Sequence, residues 1–316
     1  MSKGKGQLSH IRPYLLIICA AILWASSGTA SKYLFNAGMH PYTLAQYRVS
    51  FSALLILGYL LFFQVQSLRI SIRDVGYFIA LGALGMAGVQ ATYLFAISKI
   101  KVAIAILLQY LAPFFVAIYS TLFLNERMDR WKVFSILLAF TGCFFVVEAY
   151  RVSFVSLNRQ GVIAGVLSAV FFSFYSLLGE RVMRRYRPWT VLFYAFLFSA
   201  FIFNLIFSPR DLLLWKTEVR WWLTVLYIIT CGTIIPFGLY FIGIEHLRAT
   251  RASIVATLEP ISAAVFSFVL LGESLTPWQI FGGLLVITAI IIIQSRREID
   301  LEAPVYTRKD RLTSRV

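Results

Sequence analysis

The chain carries one sequence pattern twice, and a shift of 147 positions places the first copy on the second. Residues 93–147 correspond to residues 240–294 without a gap. A period of this length contains a whole bundle of elements, whereas the short repeats of solenoids span 20 to 50 residues. The chain therefore consists of two related halves. The clearest matches are Tyr93 with Tyr240, Ile97 with Ile244, Pro113 with Pro260, Glu126 with Glu273 and Trp131 with Trp278.

Composition indicates a membrane protein. Of the 316 residues, 59% are hydrophobic and 14% are charged, and the mean hydropathy is +0.79. This composition is more apolar than that of soluble globular proteins. The net charge of +15 raises nucleic acid as a partner. The basic residues, however, lie in short loops between apolar runs and form no continuous stripe. We therefore expect the lipid bilayer, and no nucleic acid, as their partner.

No cofactor or metal site is predicted. Cys19, Cys143 and Cys231 all lie inside apolar stretches, and they are odd in number and lack metal-ligand spacing. The three histidines have no acid, cysteine or second histidine at ligand spacing. A serine-histidine-acid set, a phosphate loop and an ATP-binding segment are also missing from the sequence, so we do not expect an enzyme.

Apolar runs of about 20 residues, long enough to cross a bilayer, predict ten transmembrane helices, five in each half. The first five-helix repeat is placed at 13–148 and the second at 160–295, followed by a basic cytoplasmic tail at 296–316. The segments are 13–35, 42–63, 75–97, 101–124, 131–148, 161–181, 189–207, 221–244, 250–271 and 277–294.

The odd number of segments in each half makes the second half enter the membrane inverted relative to the first. Lysine and arginine are concentrated in alternate loops, and the positive-inside rule then places both termini in the cytoplasm. The predicted fold is an all-α bundle of two inverted five-helix repeats, related by a pseudo-two-fold axis in the membrane plane. Its predicted location is the inner or plasma membrane.

The second copy resembles the drug/metabolite transporter superfamily, in its EamA-type branch with two five-helix repeats. The first copy departs from the signature at Ala112 and Asn125, which stand where the second copy has an acid and a glycine. The resemblance covers nearly the whole chain. It implies export of metabolites or amino acids by alternating access, without defining one solute. The residues that carry it are Leu-Glu-Pro at 258–260, Leu-Gly-Glu-Ser-Leu at 271–275 and Gln-Ile-Phe-Gly-Gly at 279–283.

Glu259 is the acid expected near the middle of the membrane, about 14 Å deep at 1.5 Å per residue. Such a carboxylate marks a solute pathway or a proton site, or it is a structural group hydrogen-bonded at the turn before Pro260. Arg48 is expected about 7 Å away along the membrane normal. An ion pair between Arg48 and Glu259 is one hypothesis, and an arginine that snorkels or binds backbone carbonyls is the other.

Pro113 and Pro260 occupy matching helices at mid-depth. They predict helix breaks where the two halves meet around a central site, or else simple kinks. Glu126 and Glu273, at the ends of matching helices, fix the turn into the next helix or act as gate latches. Four further charged residues lie near predicted helix ends, where water is within reach, and we assign them no transport role. They are Lys32, Glu148, Glu180 and Glu245.

Aromatic and uncharged polar residues at mid-span form the predicted substrate site, although an aromatic stripe also suits packing alone. A cavity with aromatic walls and few fixed charges suits an amphipathic or zwitterionic solute. The predicted site residues are Trp24, Ser27, Gln90, Tyr93, Gln109, Tyr110, Phe171, Tyr175, Tyr240 and Glu259.

The sequence thus predicts a secondary transporter that exports small metabolites, amino acids or related amphipathic solutes, by alternating access. Its energy comes from the solute gradient or a coupled ion, for which protons through Glu259 are the candidate. One chain suffices, without an oligomer. The alternatives are a membrane binding or assembly protein that moves no solute, and an importer of a different small organic solute.

Overall fold

The computed structural model describes residues 3–124, 126–152, 157–208, 218–271, 274–295 and 303–305. All regular elements in these ranges are helical, which confirms the all-α class. The first half contains α1 (Lys3–Asn36), α2 (Pro41–Phe63), α3 (Val75–Ala80), α4 (Ala87–Lys99), α5 (Val102–Gln109), α6 (Ala112–Phe123) and α7 (Arg130–Val146). The second half contains α8 (Arg159–Met183), α9 (Pro188–Ile206), α10 (Val219–Ile229), α11 (Ile235–Ala256), α12 (Glu259–Leu271) and α13 (Pro277–Ser295).

The part of the chain that the structure describes contains eight helical runs long and apolar enough to cross a membrane. This confirms a multi-pass membrane protein. Two of the ten predicted segments fall outside that set for clear reasons. Helix α7 has only 17 residues, and the ninth segment is divided between the end of α11 and α12. The count of ten helices therefore stays a prediction.

Two π-helical turns interrupt matching helices of the two halves. Leu81–Met86 joins α3 to α4, and Thr230–Ile234 joins α10 to α11. The repeat shift of 147 moves the first turn onto residues 228–233, so the two irregularities coincide. A π-turn hydrogen-bonds from i to i+5 and leaves nearby carbonyls available to side chains. The duplication is therefore reproduced in local backbone geometry as well as in sequence.

Helix pairing follows the two-fold relation between the halves. Helix α7 packs on its counterpart α13, and α2 packs on its counterpart α9. The counterpart of α1 is α8 and the counterpart of α11 is α4. The contact between α1 and α11 is accordingly matched by a contact between α8 and α4. Such reciprocal pairing is what two repeats around one axis require. The centre of the molecule is therefore built from both halves equally.

The α7–α13 contact is a close approach of two backbones. A Cβ atom built on Gly142 would lie 2.6 Å from the carbonyl oxygen of Gly282, and the reciprocal distance is also 2.6 Å. Small residues permit this approach because no side chain stands between the helices.

Candidate functional site

Two breaks in the helices meet at the centre of the molecule. The first lies at Tyr110 and Leu111, between α5 and α6, and the second at Thr257 and Leu258, between α11 and α12. The predicted prolines each stand second in the helix after a break, where a missing N–H costs no intrahelical hydrogen bond. Discontinuous helices leave backbone groups at mid-membrane for a ligand or a partner side chain.

A small central cavity lies beside these breaks, with a volume of about 30 Å³. That is room for about two water molecules and for no larger solute. The conformation is therefore closed around its centre, and a solute could enter only if the helices moved. The cavity is lined by Trp24, Ser27, Gly28, Arg48, Val89, Gln90, Tyr93, Gln109, Tyr110, Phe172, Phe237 and Glu259.

Seven of the ten predicted substrate-site residues line this cavity. The other three, Phe171, Tyr175 and Tyr240, do not line it. The ring of Phe171 occupies the space beside Gly88, Tyr175 stacks on Phe241 with ring centroids 4.7 Å apart, and the Tyr240 hydroxyl lies 3.0 Å from Ser176 Oγ. On α8 it is the next residue, Phe172, that faces the cavity.

Glu259 begins α12 and is buried, with 4% of its surface exposed. The Tyr110 hydroxyl lies 2.8 Å from its Oε2 atom, and the Tyr93 hydroxyl donates to Oε1 over 3.4 Å. Both tyrosines come from the first half, whereas Glu259 belongs to the second. The carboxyl group is thus held across the interface of the two repeats.

Arg48, on α2, is bound by the second π-turn. Its Nε donates to Thr233 Oγ1 over 2.8 Å and its Nη2 donates to the carbonyl oxygen of Gly232 over 3.1 Å. Among the described residues no ion pair joins Arg48 to Glu259, although both line the central cavity. In this conformation Arg48 is therefore the carbonyl-bonded arginine of the second hypothesis. The π-turn can accept its hydrogen bonds because a regular helix would use these carbonyl oxygens in its own backbone hydrogen bonds.

An aromatic wall closes one side of the cavity. Trp24 makes edge contacts with Phe172, Phe237 and Tyr240 at centroid distances of 6.0, 5.1 and 5.4 Å. Trp24 Nε1 and Ser27 Oγ are buried and have no hydrogen-bond partner among the described residues. Buried polar atoms are nearly always paired. These two are therefore suited to a polar group of a ligand.

A second polar centre, here called the Arg248 cluster, lies on the predicted cytoplasmic side and consists of Arg248, Glu180, Glu126, Lys132 and Thr250. Arg248 Nε lies 3.0 Å from Glu180 Oε1 and its Nη2 lies 3.7 Å from Glu126 Oε2. Lys132 Nζ lies 3.2 Å from Glu126 Oε1, and the Thr250 hydroxyl donates to Glu126 Oε2 over 2.8 Å. The cluster joins α7, α8 and α11 with the turn before α7.

The backbone of Arg248 has φ 65° and ψ 164°, at a kink within α11. Residues other than glycine rarely adopt this conformation, which costs about 1–3 kcal/mol. Glu180 offsets that cost because its Oε2 also accepts the backbone N–H of Ala249 over 2.8 Å. The kink is therefore stabilised by one carboxylate, which binds both the side chain of Arg248 and the backbone N–H of Ala249, where the helix resumes.

The expectation that Glu180 and Glu245 reach water is wrong, since their residues are only 1% and 7% exposed. For Glu180 the physical reason is the neighbouring Arg248, which lies 68 positions away in sequence. Glu126 lies in the Arg248 cluster, whereas Glu273 falls outside the described residues. The sequence shows that each charged residue lies near a helix end. Sequence spacing cannot predict that charges on three separate helices come together.

Comparison with known proteins explains the duplication. The model of the EamA-like transporter family matches residues 11–148 and again residues 159–295. The chain belongs to the EamA-like transporter family. As a member of this family it is a small-molecule transporter, and its membrane setting follows from the helical runs described above.

Three relatives indicate the range of the family. The chain is 27% identical over 288 residues to the uncharacterized inner membrane transporter YicL of Salmonella typhimurium, covering 90% of this chain and 96% of that one. It is 26% identical over 254 residues to the pseudopaline exporter CntI of Pseudomonas aeruginosa, covering 80% and 85%. It is 27% identical over 302 residues to the riboflavin transporter ImpX of Fusobacterium nucleatum, covering 90% and 98%.

Proposed function

We propose that this EamA-family protein is a secondary transporter that exports amino acids or related amphipathic solutes through the central cavity. The observation that carries the proposal is the lining, in which Arg48 and Glu259 face an otherwise uncharged, aromatic space. A solute with one ammonium and one carboxylate group would find an opposite charge for each. An arginine and an acid in this setting suit a zwitterion better than a phosphate ester, which requires several cations.

The two uncharged polar groups add to this argument. Trp24 Nε1 can donate a hydrogen bond and Ser27 Oγ can donate or accept one. A bound solute would satisfy both, and the aromatic wall would cover its apolar part. The relative named as a pseudopaline exporter supports export of polar organic molecules, and the relative named as a riboflavin transporter supports aromatic, amphipathic cargo.

Alternating access supplies the movement in this proposal. The central cavity is too small for a solute, so the helix breaks must part on one side at a time. The Arg248 cluster closes the predicted cytoplasmic side, with Glu126 as one of its latches. Glu259 carries the coupling proton, because a buried carboxyl group shared between both repeats changes its surroundings whenever they move.

The test is solute flux in proteoliposomes that contain only this chain, screened with labelled amino acids. We expect uptake above empty vesicles for at least one of them. Glu259→Gln is expected to lower the initial rate of proton-driven flux about tenfold, equivalent to about 1.4 kcal/mol, because the neutral amide can neither offer a negative charge to an ammonium group nor release a proton.

Arg151→Gln is the matched control, since its side chain is 57% exposed and lies outside the central cavity. Its flux should equal that of the wild type. If no amino acid is transported but another organic solute is, the proposed substrate class is wrong and the protein is a transporter of that solute. No flux of any solute would favour the alternative of a membrane binding or assembly protein. Flux unchanged after collapse of the pH gradient would exclude proton coupling.

We further propose that both termini lie in the cytoplasm. In a cysteine-free background, single cysteines at positions 5 and 308 should stay unlabelled by an impermeant maleimide in intact cells. A cysteine at position 151, in a loop predicted outside, should react. Reaction of only one of the two terminal cysteines would contradict two repeats of opposite orientation.

A further inference from the structure

The Tyr110 hydroxyl lies between two oxygen atoms, and it has a single proton to share. Its oxygen is 2.6 Å from the carbonyl oxygen of Ala256 and 2.8 Å from Oε2 of Glu259. Both distances are those of full O–H···O hydrogen bonds. A carbonyl oxygen only accepts, so Tyr110 must donate to Ala256 if that bond exists. A second full hydrogen bond, between Tyr110 and Oε2, then requires a proton on the carboxyl group of Glu259.

The neighbouring groups do not remove this requirement. Tyr93, on α4, donates to the other carboxyl oxygen. Arg48, on α2, donates to the second π-turn. Cys143, on α7, donates to the carbonyl oxygen of Thr257 over 3.6 Å. Among the described residues, these are the titratable and charged side chains around Glu259, and none of them donates a proton to Oε2.

We propose that Tyr110 is a positioning residue that couples the protonation of Glu259 to the contact between the two helix breaks. The inference rests on the proposed function, in which Glu259 exchanges protons. With Glu259 protonated, both contacts of Tyr110 form, and its hydroxyl joins the break after α5 to the break before α12. The closed centre described above is therefore the protonated form.

Loss of the proton reverses this arrangement. An ionised carboxylate is a stronger acceptor than a carbonyl, so the Tyr110 proton turns towards Glu259. The carbonyl oxygen of Ala256 is then left buried without a donor. An unpaired buried group of this kind shifts a two-state equilibrium by about 5–150-fold. Deprotonation of Glu259 thus loosens the second break and favours opening.

Hydrogen exchange of the backbone amides at residues 254–259, 261 and 262 tests the proposal without any transport assay. After correction for intrinsic exchange, we expect wild-type protection to fall by about 5–150-fold as Glu259 loses its proton. Glu259→Gln should keep strong protection at every pH. Tyr110→Phe should show weak protection at every pH, because the Ala256 carbonyl has no donor in either state.

Tyr194→Phe is the matched control, since it removes a tyrosine hydroxyl that donates to the carbonyl oxygen of Leu68 over 2.7 Å and not to Glu259. It should keep the wild-type pH response. A wild-type pH response in Tyr110→Phe would overturn the coupling. Intact pH-dependent protection without any solute flux would instead overturn only the proposed function.

Infrared difference spectroscopy keeps the proposal testable if Tyr110→Phe does not fold. The folded wild-type protein should show the carbonyl stretch of a protonated carboxylic acid that disappears as the pH rises. The same band should be missing from Glu259→Gln. Absence of that band from the wild type at every pH at which the protein is folded would overturn the proposal.

Discussion

Replacing Glu180 by alanine is expected to lower the free energy of unfolding by about 3–5 kcal/mol, because it removes one partner of a buried ion pair. The change leaves the Arg248 guanidinium without its 3.0 Å acceptor and the Ala249 N–H without its 2.8 Å acceptor. It also removes the contact that holds Arg248 at its strained φ of 65°. Reversible unfolding in mixed detergent micelles measures the loss.

Two variants sharpen that experiment. Glu180→Gln should cost less than Glu180→Ala, because an amide oxygen can still accept from Ala249. Arg151→Ala removes an exposed partner of Glu148 and should cost no more than about 1 kcal/mol. Equal losses for Glu180→Ala and Arg151→Ala would show that the Arg248 cluster contributes nothing beyond a surface ion pair.

The second large effect is expected at the α7–α13 contact. In Gly282→Ala the new methyl group would meet the carbonyl oxygen of Gly142 at 2.6 Å and the backbone nitrogen of Val146 at 2.8 Å. Backbone atoms cannot rotate away as a side chain can, so the two helices must separate. We expect a loss of about 3 kcal/mol in the free energy of unfolding, at the upper end for overpacked sites.

The neighbouring residue provides an internal control. A Cβ atom on Gly283 would meet nothing within 4 Å, so Gly283→Ala should be neutral or stabilise the helix by up to about 1 kcal/mol. Both variants have the same composition and change the same helix. If both destabilise equally, the close approach of Gly142 to Gly282 is not what holds α13 in place.

The duplication accounts for most of what sequence reasoning could predict. Pro113 and Pro260 match under the repeat shift and indicated where both helices break, and each break lies just before its proline. The composition of the segments around them indicated a central cavity lined by both halves. These are properties of depth along a helix, which residue counting can determine.

Rotation about the helix axis is what the sequence could not supply. One residue corresponds to about 100°, so the shift from Phe171 to Phe172 moves the side chain from a packed face to the cavity. Arg48 and Glu259 line the same cavity, yet the acceptors of Arg48 belong to a π-turn at Gly232. The Arg248 cluster depends on the packing of separate helices, which no local pattern encodes.

The Arg248 cluster is only partly repeated in the other half, because Glu126 corresponds to Glu273, which lies outside the described residues. By the repeat shift, Glu180 corresponds to Tyr33, Arg248 to Lys101 and Lys132 to Gln279. In an inverted-repeat transporter, the inward-open form becomes the outward-open form when the two repeats exchange conformations. If the two halves were identical, both forms would therefore be equally populated. Among the described residues, the buried ion pairs lie on the predicted cytoplasmic side. We therefore expect the resting conformation without solute to be closed on the cytoplasmic side and to open more readily towards the opposite side of the membrane.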